Sequence, residues 1–185
     1  DQMIAEVGAI EGGNQTLDRL DTQLFKTLRI EVVSDTEVVL KRGFVAPREL
    51  VFEAMSKGEH FPNWWGPRSM KMISCTHDSK PGGAYQFALQ DTNGNESRWK
   101  GSILELDGPG RMVFTESFDL PGMGWTPETI ITVTLQDFWG MTLYTAHMKY
   151  ASKEMRDGHL GSGFEEGASE SYDRLQELTE VLANR

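Results

Sequence analysis

Along Met112-Val113-Phe114-Thr115-Glu116-Ser117-Phe118, strand alternation sets the carboxylate of Glu116 on one face with Met112, Phe114 and Phe118. Along Val38 to Phe44 the same alternation sets Arg42 beside Val38, Leu40 and Phe44. If those faces point inward, an acid and a base lie in apolar surroundings, where a charge without a partner is costly. They would then pair with each other or orient the carboxylate or hydroxyl of a ligand. A register shifted by one residue would send both to solvent. Other chemistry is scarce. His60, His77, His147 and His159 lie in separate segments, with none of the His-x-His or His-Glu-x-x-His spacings of a metal site. His77 precedes Asp78 at a strand end, where a hydrogen bond to the turn suits it. His60 is expected at the surface. Cys75, the single cysteine, has no evident histidine partner and is expected to pack as a small apolar residue. It excludes an internal disulfide and a cysteine-based zinc cluster. "GPGR" and "KPGG" lack the strand-to-helix setting and the Lys-Ser/Thr ending of a phosphate loop. No catalytic set, metal site or cofactor site is read from the chain.

The segment His60 to Ser69, "HFPNWWGPRS", holds the largest unexplained apolar surface. Two adjacent tryptophans stand between Pro62 and Pro67, where neither a helix interior nor a regular central strand is expected. Each indole can bury roughly 150–250 Å², so the pair must fill the core, line a cavity or meet a partner. In the filling alternative, one ring plugs the core and the other covers an edge. In the cavity alternative, Trp64 and Trp65 form a wall with Phe52, Met55, Phe87, Trp99, Phe114, Phe118, Phe164 and Tyr172, and with Glu116 and Arg42 as polar members.

The elements that must position these residues can be read from punctuation and period. Val38 to Phe44 is a strand ending at Ala46-Pro47, and Pro47 suits the first turn of a helix carrying Leu50, Val51, Phe52, Ala54 and Met55. Lys57-Gly58 ends it. Six further strands are expected over 70–77, 84–89, 98–106, 112–118, 129–136 and 141–150, separated by Gly-, Pro-, Asp- and Asn-rich turns. Tyr85, Phe87 and Leu89, and likewise Ile131, Val133 and Leu135, alternate with polar residues, so one face of this antiparallel meander is apolar. Phe164 to Asn184 repeats apolar residues at helical spacing through Phe164, Ala168, Tyr172, Leu175, Leu178 and Leu182. Ser152 or Ser162 is the expected N-cap, and Glu165, Glu166, Glu170 and Asp173 form the wet face. A curved sheet wrapped around that helix leaves a wedge to fill or to line.

Bulk properties bound the alternatives. In 185 residues, 38% hydrophobic and 25% charged content fits one soluble globular domain. The 28 acidic against 18 basic residues give a net charge of −10, which argues against nucleic acid and anionic membranes as partners. No run of about 18 apolar residues and no signal-peptide pattern is seen, so a cytoplasmic location is expected. Residues 1–30 read as an N-terminal arm, weakly structured or a short helix, and 31–185 as the domain.

The succession "KRGFVAPRELVFEAM", "FPNWWGPRSMKM", "KPGGAYQF", "DTNGNESRWKG", "MVFTESF" and "ASKEMRDGHLGSGFEEGASESYDRL" resembles the SRPBCC superfamily. Within it the chain is similar to the branch named for the C-terminal domain of the heat-shock-protein-90 ATPase activator, from about Thr36 onward. The resemblance implies an α+β helix-grip fold, START- and Bet v 1-like, with a curved antiparallel sheet around a long C-terminal helix and two short helices after the first strand. It also implies a bacterial protein. Phe164, where the branch commonly has Met, and Ala168, where it has a larger apolar residue, are departures that would alter a cavity. Three functions are consistent with it. The preferred one is binding of a small apolar molecule, lipid-like or aromatic, between sheet and helix. The alternatives are a chaperone-interacting module and a cyclase- or hydrolase-like enzyme on the same scaffold. A monomer or a homodimer is expected.

Overall fold

The computed structural model describes residues 23–120 and 122–185. Of the expected arm over residues 1–30, residues 1–22 lie outside the described residues. Nine strands form one antiparallel sheet: β1 (Arg29–Val32), β2 (Glu37–Phe44), β3 (Lys71–His77), β4 (Ala84–Gln90), β5 (Glu96–Asp107), β6 (Arg111–Leu120), β7 (Gly124–Trp125), β8 (Thr129–Phe138) and β9 (Met141–Lys149). Their order is β1-β2-β9-β8-β6-β5-β4-β3, with β7 added to β6. Register shifts between Met72 and Ser74 in β3 and between Ile103 and Glu105 in β5 mark bulges, which bend and twist the sheet.

Between β2 and β3 lie α1 (Arg48–Ser56), a 3₁₀ turn (Gly58–His60) and α2 (Phe61–Trp64); α3 (Lys153–Leu160) and α4 (Phe164–Ala183) follow β9. Pro47 sits at the N-cap of α1 rather than inside its first turn. Ser152 caps α3, its hydroxyl accepting from the Met155 N–H at 3.2 Å. The long helix α4 starts instead from Gly163, whose φ of 82° lies in the left-handed region open to glycine.

The sheet's apolar face and α4 bury one another. Tyr85, Phe87 and Leu89 on β4 and Ile131, Val133 and Leu135 on β8 are buried as the alternation predicts, together with Leu175, Leu178 and Leu182 of α4. Each such side chain contributes roughly 1.5–3 kcal/mol by leaving water. Packing extends N-terminal to residue 31, because Phe25 and Leu28 are also buried. The Phe25 ring stacks on Phe138 at 6.2 Å and covers Gly43, where any side chain would collide with it.

Candidate functional site

The tryptophan block is built by proline and held by the C-terminal helix. Phe61, Pro62 and Asn63 form one helical turn that ends at Trp64, and Gly66, at φ 89°, reverses the chain. Trp64 is buried and its indole N–H donates to the Ala54 carbonyl of α1 at 3.0 Å. From α4, Arg174 donates to the carbonyls of Gly66 at 2.7 Å, Pro62 at 3.3 Å and Trp65 at 3.4 Å. The Gly66 N–H donates to the Ser171 hydroxyl at 3.1 Å. The carbonyls that a tight turn leaves open are therefore satisfied from one helix face. Trp64 is buried in the core, and Trp65 packs half-buried against it.

They line a cavity enclosed by strands β2 to β6, β8 and β9 and by helices α1, α2 and α4. The space inside for the centre of a water molecule is about 80 Å³, within a recess of about 780 Å³ that includes its opening to solvent. Its walls are rings and aliphatic chains: Phe61, Trp64, Trp65, Tyr85, Phe87, Phe114, Tyr144, Phe164 and Tyr172, with Leu40, Met55, Ile103, Leu106, Met112, Ile131, Ala146 and Met148. Ser56, His77 and Glu116 are the remaining members.

Among the described residues Glu116 is the one carboxylate on this wall. It sits on β6 opposite Thr129, is 7% exposed, and its Oε2 is buried without a hydrogen-bond partner among the described residues. Burial in apolar surroundings pushes its pKa up to about 7. The rings around it respond in kind. Burial raises Tyr172 to about 12 and holds Tyr144 and Tyr85 well above the phenol range. The hydroxyls of Tyr144 and Tyr172 are 2.6 Å apart, and Tyr85 donates to the Thr115 carbonyl at 2.6 Å. The indole N–H of Trp65 is buried without an acceptor among the described residues.

Arg42 points inward as the alternation on β2 requires, but it does not meet Glu116. It is 1% exposed, donates to Asp173 of α4 at 2.7 Å and to the Ser169 carbonyl at 3.4 Å, and lies over the Phe44 ring. It stands outside the cavity wall, and Asp173 is therefore not simply part of the wet face. Three expected aromatics also stand outside that wall. Phe52 leans on Gly108 in the β5–β6 turn, because α1 directs Val51, Ala54 and Met55 inward instead. Trp99 lies behind Trp65, meeting it edge-on at 6.5 Å. Phe118 lies against His159 at 5.3 Å, beyond the end of the lined stretch of β6. Met55, Trp64, Trp65, Phe87, Phe114, Glu116, Phe164 and Tyr172 are brought together.

The histidines divide differently from expectation. His60 is not at the surface: it is 3% exposed, with Nε2 3.6 Å from Glu53 and 3.8 Å from Glu59. His77 makes the expected turn contact, Nδ1 to the Ser79 hydroxyl at 2.8 Å, and its ring also lines the cavity. The same ring borders a surface recess with Lys57, Gly58, Glu59, Pro62, Cys75 and Ser79, so it separates the interior from solvent. Burial lowers its pKa. Cys75 is half-buried with its thiol 3.7 Å from the Gly58 carbonyl, and burial raises its pKa, the reverse of what a reactive thiolate needs. His159 is held to Tyr150 at 3.0 Å and against Phe164 at 4.3 Å, and burial lowers it to about 4. Among the described residues no group of three or more acidic, histidine or cysteine side chains is placed to hold a metal ion. No described helix is long and apolar enough to cross a membrane.

The sequence model of the family described as Activator of Hsp90 ATPase homolog 1-like protein matches residues 45–180. The chain belongs to this family. Its helix-grip architecture recurs in solved structures of other proteins. One from Rhodobacter sphaeroides is 24% identical, with a TM-score of 0.75 over 86% of this chain and 100% of that one. One from Nitrosomonas europaea is also 24% identical, with a TM-score of 0.72 over 83% and 100%. The AHSA1 protein of Silicibacter pomeroyi is 21% identical, with a TM-score of 0.63 over 80% and 99%. These likenesses concern the fold. None of the curated proteins compared matches this member of the family.

Proposed function

We propose that this protein binds a small, largely apolar molecule in the cavity between the sheet and α4. The observation that carries the reading is the aromatic-walled space itself, with one unpartnered carboxyl on its wall. Its size selects within the class. Pockets for drug-sized ligands run about 300–1,000 Å³, and the 80 Å³ here suits one ring with a short substituent rather than a long acyl chain. The test is a titration with single-ring compounds, followed by tryptophan fluorescence and by melting temperature. A ligand held by Trp64 and Trp65 quenches their emission, and selective binding to the folded state raises the melting temperature. A panel that moves neither signal overturns the reading.

A second reading draws on the family description, which names an activator of the Hsp90 ATPase. The exposed Trp139 at the β8–β9 turn, 77% accessible, is a surface feature consistent with docking on another protein. Stimulation of a chaperone ATPase by this protein, lost on Trp139→Ala, is the result that would favour it. An enzymatic role on the same scaffold would require Glu116 to transfer protons, and turnover abolished by Glu116→Gln in a folded protein is its requirement.

A further inference from the structure

We infer that the ligand of this cavity is a small aromatic or branched amine, bound as its cation with Glu116 as counter-ion. This rests on the cavity-binding reading and specifies the ligand's chemical class. The first ground is the imbalance of charge. Glu116 is buried, and among the described residues its Oε2 has no donor and no lysine or arginine is on the cavity wall. Arg42, which the β2 pattern aims into the same interior, is committed to Asp173 at 2.7 Å and to the Ser169 carbonyl. A buried carboxylate needs a cation or a donor, and the described residues supply neither to Oε2.

The second ground is the wall. Tyr144, Tyr172, Phe114, Phe164 and Trp64 present ring faces or edges to the same space as Glu116. Ring faces attract cations and tolerate apolar substituents, the combination by which aromatic cages take ammonium groups. An ammonium on a small apolar body satisfies the carboxylate with a charge-assisted hydrogen bond and leaves its remainder against the rings. A carboxylate ligand would meet Glu116 as a like charge. A neutral alcohol or ketone would satisfy the carboxyl without using the rings' affinity for a cation.

The test titrates three compounds of matched size, benzylamine, benzyl alcohol and toluene, into the protein between pH 5 and pH 8, read by calorimetry and tryptophan emission. The groups acting with Glu116 are Tyr85 of β4, Tyr144 of β9, Tyr150, and Tyr172 of α4, all held protonated by burial, with Arg42 beyond Tyr172 and His77 on the same wall. Glu116, which burial holds at about 7, is thus the member that titrates in that range, while burial lowers His77. Deprotonation of Glu116 favours a cation, so benzylamine affinity rises with pH and levels off above about 7. At pH 8 benzylamine binds roughly tenfold or more tighter than benzyl alcohol, and Glu116→Gln removes that advantage while changing the alcohol by less than about threefold. Alcohol binding equal to or tighter than amine binding at pH 8, or amine affinity independent of pH, overturns the inference and leaves the cavity reading intact. Binding of none of the three overturns both. The pH series on the unmodified protein needs no variant, so a Glu116→Gln chain that fails to fold leaves the decision in place.

Discussion

The hydroxyls of Tyr144 on β9 and Tyr172 on α4 lie 2.6 Å apart, joining sheet to helix by one hydrogen bond at the rim of an apolar space. Neither ring alone can satisfy its oxygen there. Tyr172→Phe leaves the Tyr144 hydroxyl buried and unpartnered, at a cost of about 1–3 kcal/mol. Tyr144→Phe does the same to Tyr172. The double variant removes both polar atoms together, so its loss is smaller than the sum of the single losses. Urea unfolding of the four proteins gives the coupling directly. Additive losses would show that the two hydroxyls do not depend on one another.

Glu116 and His159 impose opposite pH dependence. Glu116 is raised from its ordinary 4.5 to about 7, so between those values the folded state holds a proton that the unfolded state has lost. Its stabilising contribution is therefore full below pH 4.5 and lost as pH rises through 7, by roughly 3 kcal/mol. His159 is lowered from 6.5 to about 4, so the unfolded state binds the extra proton and stability falls as pH drops from 6.5 toward 4. That slope is of similar size, about 3 kcal/mol. Between pH 4.5 and 6.5 the two nearly cancel. Glu116→Gln should be more stable than the parent at pH 8 and should decline on acidification. His159→Gln should be most stable near pH 4.5 and weaken toward pH 7. Thermal melts across that range check both, and parallel curves for all three proteins would refute the assignment.

The faces of the strands were legible because alternation survives tertiary context. Glu116, Phe114 and Met112 do share the inner face, and so do Arg42 and Leu40. The pairing of Arg42 was not legible, since its partner Asp173 lies 131 residues away and carries no local signature. Strand β1 gives a weak signal because the polar–apolar alternation of Arg29 to Val32 runs for only four residues, all of them half-buried or exposed. Helix α3 was hidden by a polar sequence containing Gly158, although Ser152 signals its cap. His60 and His77 are enclosed by the 3₁₀ turn and α2, which pack after the local pattern has been read. A void depends on distances between elements, which periodicity does not contain.

Removing the acidic half of the Arg42 pair tests how that cation is tolerated. Asp173→Asn leaves a 1% exposed guanidinium with the Ser169 carbonyl and the Phe44 ring. Asp173 itself is 56% exposed, so water reaches the vacated side and the cost stays at about 1–3 kcal/mol, below that of a fully enclosed pair. Arg42→Met replaces the charge by an apolar chain of similar length and should restore part of that loss in the Asp173→Asn background. Chemical denaturation of the cycle measures it.

Gly101 on β5 allows β6 to pass close by. A methyl group there would fall on the Thr115 carbonyl and on the Tyr85 ring and hydroxyl that donates to it. Backbone cannot yield as a flexible side chain does, so Gly101→Ala should cost at least about 2 kcal/mol, within the range for forced overpacking. Gly110→Ala, which meets nothing within 4 Å, is the control expected to stay within about 0.5 kcal/mol.

The grip of Arg174 and Ser171 on the Trp65-Gly66 corner spans more than a hundred residues of sequence. A polypeptide emerging from the ribosome therefore exposes both indoles long before their anchor has been synthesised. Until the final helix docks, the hollow has no roof, and the unfinished chain offers a greasy surface to which holdase chaperones have affinity.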